Sequence, residues 1–261
     1  MADTRSSYSS AGYPEHVRLG VQARCFGGRE HAVVAELADL QLAHTLGSVG
    51  CGTGVFERGL KARYAPLEVD GLDLEPKAVD VARSNLDSAT VGDPLMGAAL
   101  PRHGDYDAML SRLVLQHIPV AERQRFVDHV VSAARPGGRV VLVDTDHTML
   151  RLLTGDVALD TALAGLPVPP RVFAAGPALE RHLAQAGCTD IRSVALTLTT
   201  QDVEQATWRV ILDAMVVMLD RRGKREQAAE VATLLNRWAA SPTAFGVWVL
   251  FAAAGTRVRS T

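Results

Sequence analysis

Between Thr45 and Leu60 an apolar strand runs into Gly50-x-Gly52-x-Gly54 and then directly into a helix, in the segment TLGSVGCGTGVFERGL. Glycines at alternate positions let the backbone turn sharply and approach a ligand closely, while the N–H groups opening the next helix favour an anionic group. Such a strand–loop–helix unit commits this part of the chain to an α/β layer with a ligand at the loop. A dinucleotide fingerprint needs a further glycine where this sequence has Val55, which counts against a nicotinamide or flavin cofactor.

The segments that follow repeat the alternation. Pro66 to Pro76 (PLEVDGLDLEP) reads as a second strand ending at Asp73, an acid placed to accept hydrogen bonds from a ribose diol. A third strand around Ala89 to Gly92 ends in Asp93-Pro94, and a fourth, Tyr106 to Leu110, leads into SRLVLQHIP. A helix stopped by Pro136-Gly137-Gly138 precedes a fifth strand that ends at Asp144. Helices alternating with strands imply a parallel sheet covered on both faces.

In order and spacing, GCGTG, GLDLEP, VGDP, YDAML…LQHIP and RPGGRVVLVD resemble the class I S-adenosylmethionine-dependent methyltransferases over about residues 15 to 150. The resemblance implies a Rossmann-like, doubly wound α/β fold of seven strands, mostly parallel with the last antiparallel, carrying helical lid insertions. It also implies S-adenosylmethionine as cofactor and S-adenosylhomocysteine as product. Arg18 and Gln22 before the core, the end of strand five and the final FAAAGTR are similar to a bacterial small-molecule branch of that family, a placement that points to secondary metabolism. One departure stands out: where the family usually has an acid at the end of strand one, this chain has Ser48. A serine can accept a hydrogen bond but cannot neutralise the cofactor's ammonium.

By that resemblance the loop residues Gly50, Cys51 and Gly52, with Ser48, would take the amino-acid end of the cofactor and Asp73 its ribose. Asp93 would meet the adenine amino group, and Leu74 and Pro94 would sandwich the ring. Gln22 is a candidate for the cofactor carboxylate, and Arg112 and Gln116 for cofactor or substrate. Small size explains Cys51 without thiol chemistry. Methyl transfer from a sulfonium is an in-line displacement in which alignment and exclusion of water do much of the work. An acceptor that keeps its proton at neutral pH needs a base, and His117 and His147 follow strands four and five at the expected pocket edge. His117 can equally cap the loop before Pro119, and His147 can equally belong to a helix cap in Thr145-Asp-His-Thr148. Non-methylating catalysis on the same fold, such as cyclisation, is the alternative that Ser48 raises.

Composition narrows the rest. A net charge of -2 lacks the basic excess of a nucleic-acid binder. The cysteines, Cys25, Cys51 and Cys188, form no C-x-x-C pair, and no metal site is indicated, which fits a reducing cytoplasm. The polar start of the chain has no apolar signal core, and Asp213 interrupts the Val210–Leu219 run, so no membrane association is expected. Lysine occurs only at Lys61, Lys77 and Lys224, an arginine bias typical of GC-rich genomes. The organisation expected is an N-terminal helical lid segment over 1–40 and a core over 41–261, with insertions at about 150–175 and 201–240. The first helix would begin near Pro14, and the second insertion reads as two amphipathic helices that could form a lid or a homodimer interface. A small-molecule methyl acceptor is the expected partner.

Overall fold

The computed structural model describes residues 20–258 except 24, 26, 98 and 167–174, and also leaves out the side chains of residues 147, 206, 214, 218 and 221. The expected helix start at Pro14, together with Arg18, lies outside the described residues. The chain forms two compact units.

The larger unit takes in described residues from 27–147, 175–196 and 250–258. Its sheet has β1 (Thr45–Val49) between β2 (Glu68–Asp73) and β4 (Tyr106–Arg112), with β3 (Ser88–Val91) outside β2 and β5 (Ala134–Thr145) outside β4. These neighbours all pair in parallel. Parallel strands covered on both faces are continuously apolar, and Leu46, Val49, Val69, Leu72 and Leu110 are completely buried. The C-terminal part of β8 (Phe245–Arg257) joins antiparallel to β5, from Thr145↔Leu250 to Arg139↔Thr256, and β7 (Cys188–Thr199) pairs with β8.

Helices α1 (Gly27–Leu37), α2 (Val55–Arg63), α3 (Pro76–Ala82), α4 (Arg123–Ala133) and α6 (Leu179–Gln185) belong to this unit, and α5 (Val157–Ala164) to the other. Phe126, Val127 and Val130 of α4 and Leu183 of α6 enter the same apolar cluster as Met109 and Val140 of the sheet. Strand five starts earlier than expected. Pairing already begins at Tyr106↔Ala134 and resumes at Ala108↔Arg139, so Pro136-Gly137-Gly138 bulges inside the strand instead of preceding it. Glycine is needed there, because a Cβ on Gly138 would lie 2.8 Å from the Tyr106 carbonyl oxygen.

The smaller unit contains described residues from 20–25, 148–166 and 197–249. Here α7 (Gln205–Arg221) and α8 (Arg225–Ala240) pack together, with Trp208 and Trp238 edge to face at 6.1 Å. The short strand β6 (Arg151–Leu153), an eighth strand beyond the seven expected, pairs with the start of β8 through Arg151↔Val247. Gly246 lets β8 pass beneath the two indoles, since a Cβ there would meet both at 3.2 Å.

Candidate active site

Strand β1 delivers the chain to Gly50, Gly52 and Gly54, whose φ values are 77°, 55° and 69°. Three left-handed residues at alternate positions fold the loop back over the end of β2. The Gly50 and Cys51 N–H groups both donate to the Leu72 carbonyl, at 2.7 and 3.1 Å. The next amide, Gly52 N–H, donates to Asp73 Oδ2 at 2.7 Å, while Asp73 Oδ1 accepts from Glu75 N–H at 2.9 Å. Asp73 therefore orders the glycine loop as well as standing at the strand end. Burial raises its pKa, opposed by the amides of Glu75, Gly52 and Leu74. Gly54 is the N-cap of α2 with no side-chain cap, so the helix opens onto the loop with backbone donors that a ligand anion can take.

Ser48 is buried and donates to Glu57 Oε1 at 2.7 Å. Glu57, in the first turn of α2, is 2% exposed, and its Oε2 is buried without a hydrogen-bond partner among the described residues. Burial raises the Glu57 pKa, and the Ser48 hydrogen bond acts against that rise. Neither feature was apparent from the motif alone. The signal available was a lone acid three residues before Leu60, on the face of α2 that the core covers.

Cys51 is buried in the loop, and burial followed by the charges of Glu57 and Asp73 raises its pKa well above the ordinary range, which suits a space-filling residue and not a nucleophile. Leu74 is 43% exposed beside Asp73. Asp93 caps the short turn Pro94–Met96 by accepting from Leu95 N–H at 2.9 Å, and Pro94 is buried there, its carbonyl bonded to His129.

Arg112, a candidate ligand residue, is held by a buried acid on α1: Nε and Nη2 bond Glu30 Oε1 and Oε2 at 2.6 and 2.9 Å. Its guanidinium lies 4.5 Å over the Phe56 ring, against which His31 also packs at 4.4 Å. The arrangement fastens α1 to the end of β4 and the start of α2. Gln22 is buried in the smaller unit.

Leu113, at φ 57°, turns the chain from β4 into the turn Leu115–His117. Gln116 is buried, and its N–H donates to Asp144 Oδ2 at 3.0 Å, which fixes the turn and leaves His117 exposed. Asp144 is 1% exposed and burial pushes its pKa up to about 7, against the backbone bonds from Thr145, Gln116 and Leu115 and the charge of Arg123. His147 begins the short turn His147–Met149, and its side chain lies outside the described residues.

The Asp144 shift sets a pH dependence. A carboxyl with a raised folded-state pKa binds its proton more tightly when folded, so stability falls as pH rises from about 4 to about 7. Between pH 5 and pH 8 the native protein should lose on the order of 2–3 kcal/mol through this group. Glu57 and Asp73, whose pKa values burial also raises, act in the same sense, and His31 and His182, whose pKa values burial lowers, in the opposite one, so urea unfolding of wild type must be compared with Asp144→Asn. Across that range the variant should lose less stability with rising pH than wild type does. Equal slopes would remove Asp144 as the source.

The residues fit a ligand with a diol, a cation and an anion: Asp73 for the first, buried carboxylate at Glu57 for the second, and open amides at α2 for the third. Among the described residues no cluster of three or more His, Cys, Asp or Glu side chains could hold a metal ion, and no helix is long and apolar enough to cross a membrane.

Residues 48–140 match the family model described as a methyltransferase domain. The ribosomal protein L11 methyltransferase of Methylococcus capsulatus is 30% identical over 58% of this chain and 50% of its own length. The ubiquinone biosynthesis O-methyltransferase of an Azoarcus species is 32% identical over 46% and 52%. The chain thus spans about half the length of these curated relatives. Among solved structures, a phosphoethanolamine N-methyltransferase of Haemonchus contortus, in complex with phosphomonomethylethanolamine and S-adenosylhomocysteine, aligns at TM-score 0.52 and 16% identity over 94% of this chain and 58% of that one. The [4+2]-cyclase SpnF aligns at TM-score 0.52 and 16% identity over 88% and 82%.

Proposed function

We propose, from the match of residues 48–140 to a methyltransferase domain, that this chain moves a methyl group from S-adenosylmethionine to an oxygen, nitrogen or carbon of a small molecule, in secondary metabolism. The observation that carries the reading is the Gly50–Gly54 loop tied by its Gly52 amide to Asp73. When bound, the cofactor supplies a methyl group activated on a sulfonium. The chain's own part is to hold and align. Asp73 binds the ribose, Asp93 the adenine amino group, Leu74 and Pro94 the ring faces, and the α2 amides the carboxylate. Arg112, paired with Glu30 so that α1 is kept against β4, is a candidate for cofactor or substrate at the end of that strand. His117, exposed on a turn fixed by Asp144, is the candidate to take a proton from an acceptor hydroxyl or ammonium.

One relative is named for ribosomal protein L11 and the other for ubiquinone biosynthesis, so acceptor screening should include a protein as well as small molecules. A second reading, a non-methylating cyclase, has the [4+2]-cyclase likeness in its favour. Calorimetric titration with S-adenosylmethionine and S-adenosylhomocysteine is the test. Micromolar binding of both is expected, weakened at least about 10-fold in Asp73→Ala, because hydrogen bonds to a charged group are worth roughly 1.5–3 kcal/mol each. Absence of binding would overturn the reading. Release of S-adenosylhomocysteine during turnover separates transferase from cyclase.

A further inference from the structure

We propose that Glu57 supplies, from the first turn of α2, the negative charge for the cofactor's ammonium that the end of β1 lacks, with Ser48 as its positioning residue; the inference rests on the methyltransferase reading above. An isolated carboxylate is rarely taken out of water without a partner, because the desolvation penalty of an ion is large. Glu57 has half of a partner. Oε1 takes the Ser48 hydroxyl at 2.7 Å, and Oε2 is buried with no hydrogen bond among the described residues. The cation acting on it is Arg112, whose Nε and Nη2 both serve Glu30.

Position adds to the case. Ser48 stands two residues before Gly50, so the acid it holds is at the root of the glycine loop, and the Glu57 charge is felt at Cys51 inside that loop. The loop carries a second carboxylate in Asp73, already occupied by two amides. A buried acid with one unpartnered oxygen in this setting calls for a small cation with several donors, and a primary ammonium offers three. The competing explanation is structural: a carboxylate near a helix N-terminus is stabilised by the helix dipole alone.

Two ligands separate these. S-Adenosylhomocysteine carries the ammonium, whereas 5′-methylthioadenosine has the same adenosine and thioether but no amino-acid end. Calorimetry on wild type, Glu57→Gln and Ser48→Ala is expected to show S-adenosylhomocysteine weakened about 10–100-fold by Glu57→Gln and by a smaller factor in Ser48→Ala, with methylthioadenosine unchanged in both. In the double variant Ser48→Asp/Glu57→Gln the charge returns to β1, and affinity for S-adenosylhomocysteine should recover. Unchanged affinity for S-adenosylhomocysteine in both single variants, or an equal loss for both ligands, would overturn the proposal and leave Glu57 a structural acid. Should Glu57→Gln fail to fold, Ser48→Ala alone decides by the same comparison. Wild type that binds neither ligand would instead overturn the methyltransferase reading itself.

Discussion

Glu30→Ala is expected to be among the most destabilising single substitutions in the larger unit, at about 3–5 kcal/mol, because it leaves the Arg112 guanidinium buried without its carboxylate. Glu30 is fully buried and Arg112 nearly so, and two short hydrogen bonds join them in a fork-to-fork pair. At about 2–4 °C per kcal/mol for a chain of this size, the melting temperature should fall by roughly 6–20 °C. The cost reflects breaking the pair, not its net worth. Replacing both members with methionine should therefore recover most of the loss, since a well-packed apolar pair of similar volume is often neutral relative to a buried ion pair. Urea unfolding of the two single variants and the double variant measures all three terms. A Glu30→Ala loss below about 1 kcal/mol would mean that the pair is solvated and does not clamp α1.

The parallel core was legible because strands buried on both faces leave little room for polar residues, so β1, β2 and β4 stand out by their buried apolar residues, β1 leading into Gly50 and β2 ending at Asp73. The same reasoning placed the glycine loop and Asp73. It misplaced the start of β5, because Pro136-Gly137-Gly138 has the composition of a helix stop, and only the pairing of Ala134 with Tyr106 shows that the strand has already begun. Three-residue β6 is too short for any period to register. The acids Glu30 and Glu57 were passed over for another reason. A single glutamate in a helix ordinarily faces water, and nothing local distinguishes one that does not. Each is buried because of a partner set by tertiary structure: Arg112, 82 residues away from Glu30, and Ser48, on the strand before the glycine loop. Ser48 read as a missing acid, whereas in the folded chain it is the hydrogen-bond donor to an acid on the neighbouring helix. Arg112, which the sequence offered as a cation near the pocket, is hydrogen-bonded in the fold to Glu30 on α1.

Gly50→Ala should act on both stability and binding, and the two effects can be told apart. Gly50 has φ 77°, a left-handed conformation that costs an L-residue roughly 1–2 kcal/mol. A Cβ there would also fall well inside contact distance of Val114 Cγ2, with Val114 Cβ and Cγ1 each at 3.3 Å. Overpacking of that kind adds about 1–3 kcal/mol, so a total of about 2–5 kcal/mol is expected. Val114 opens the turn that carries Gln116 and His117, and the overlap would push that turn away from the glycine loop. Adding Val114→Ala removes the steric part and leaves the backbone strain, so the double variant should regain about half of the lost stability. Affinity for S-adenosylhomocysteine should not return with it, because the strained residue still disturbs the amides of Gly50 and Cys51 on the Leu72 carbonyl, and through them the Gly52 bond to Asp73. Recovery of both stability and affinity would assign the effect of Gly50 to packing against Val114 alone. Recovery of stability without affinity would assign the ligand's hold to the left-handed geometry of the loop.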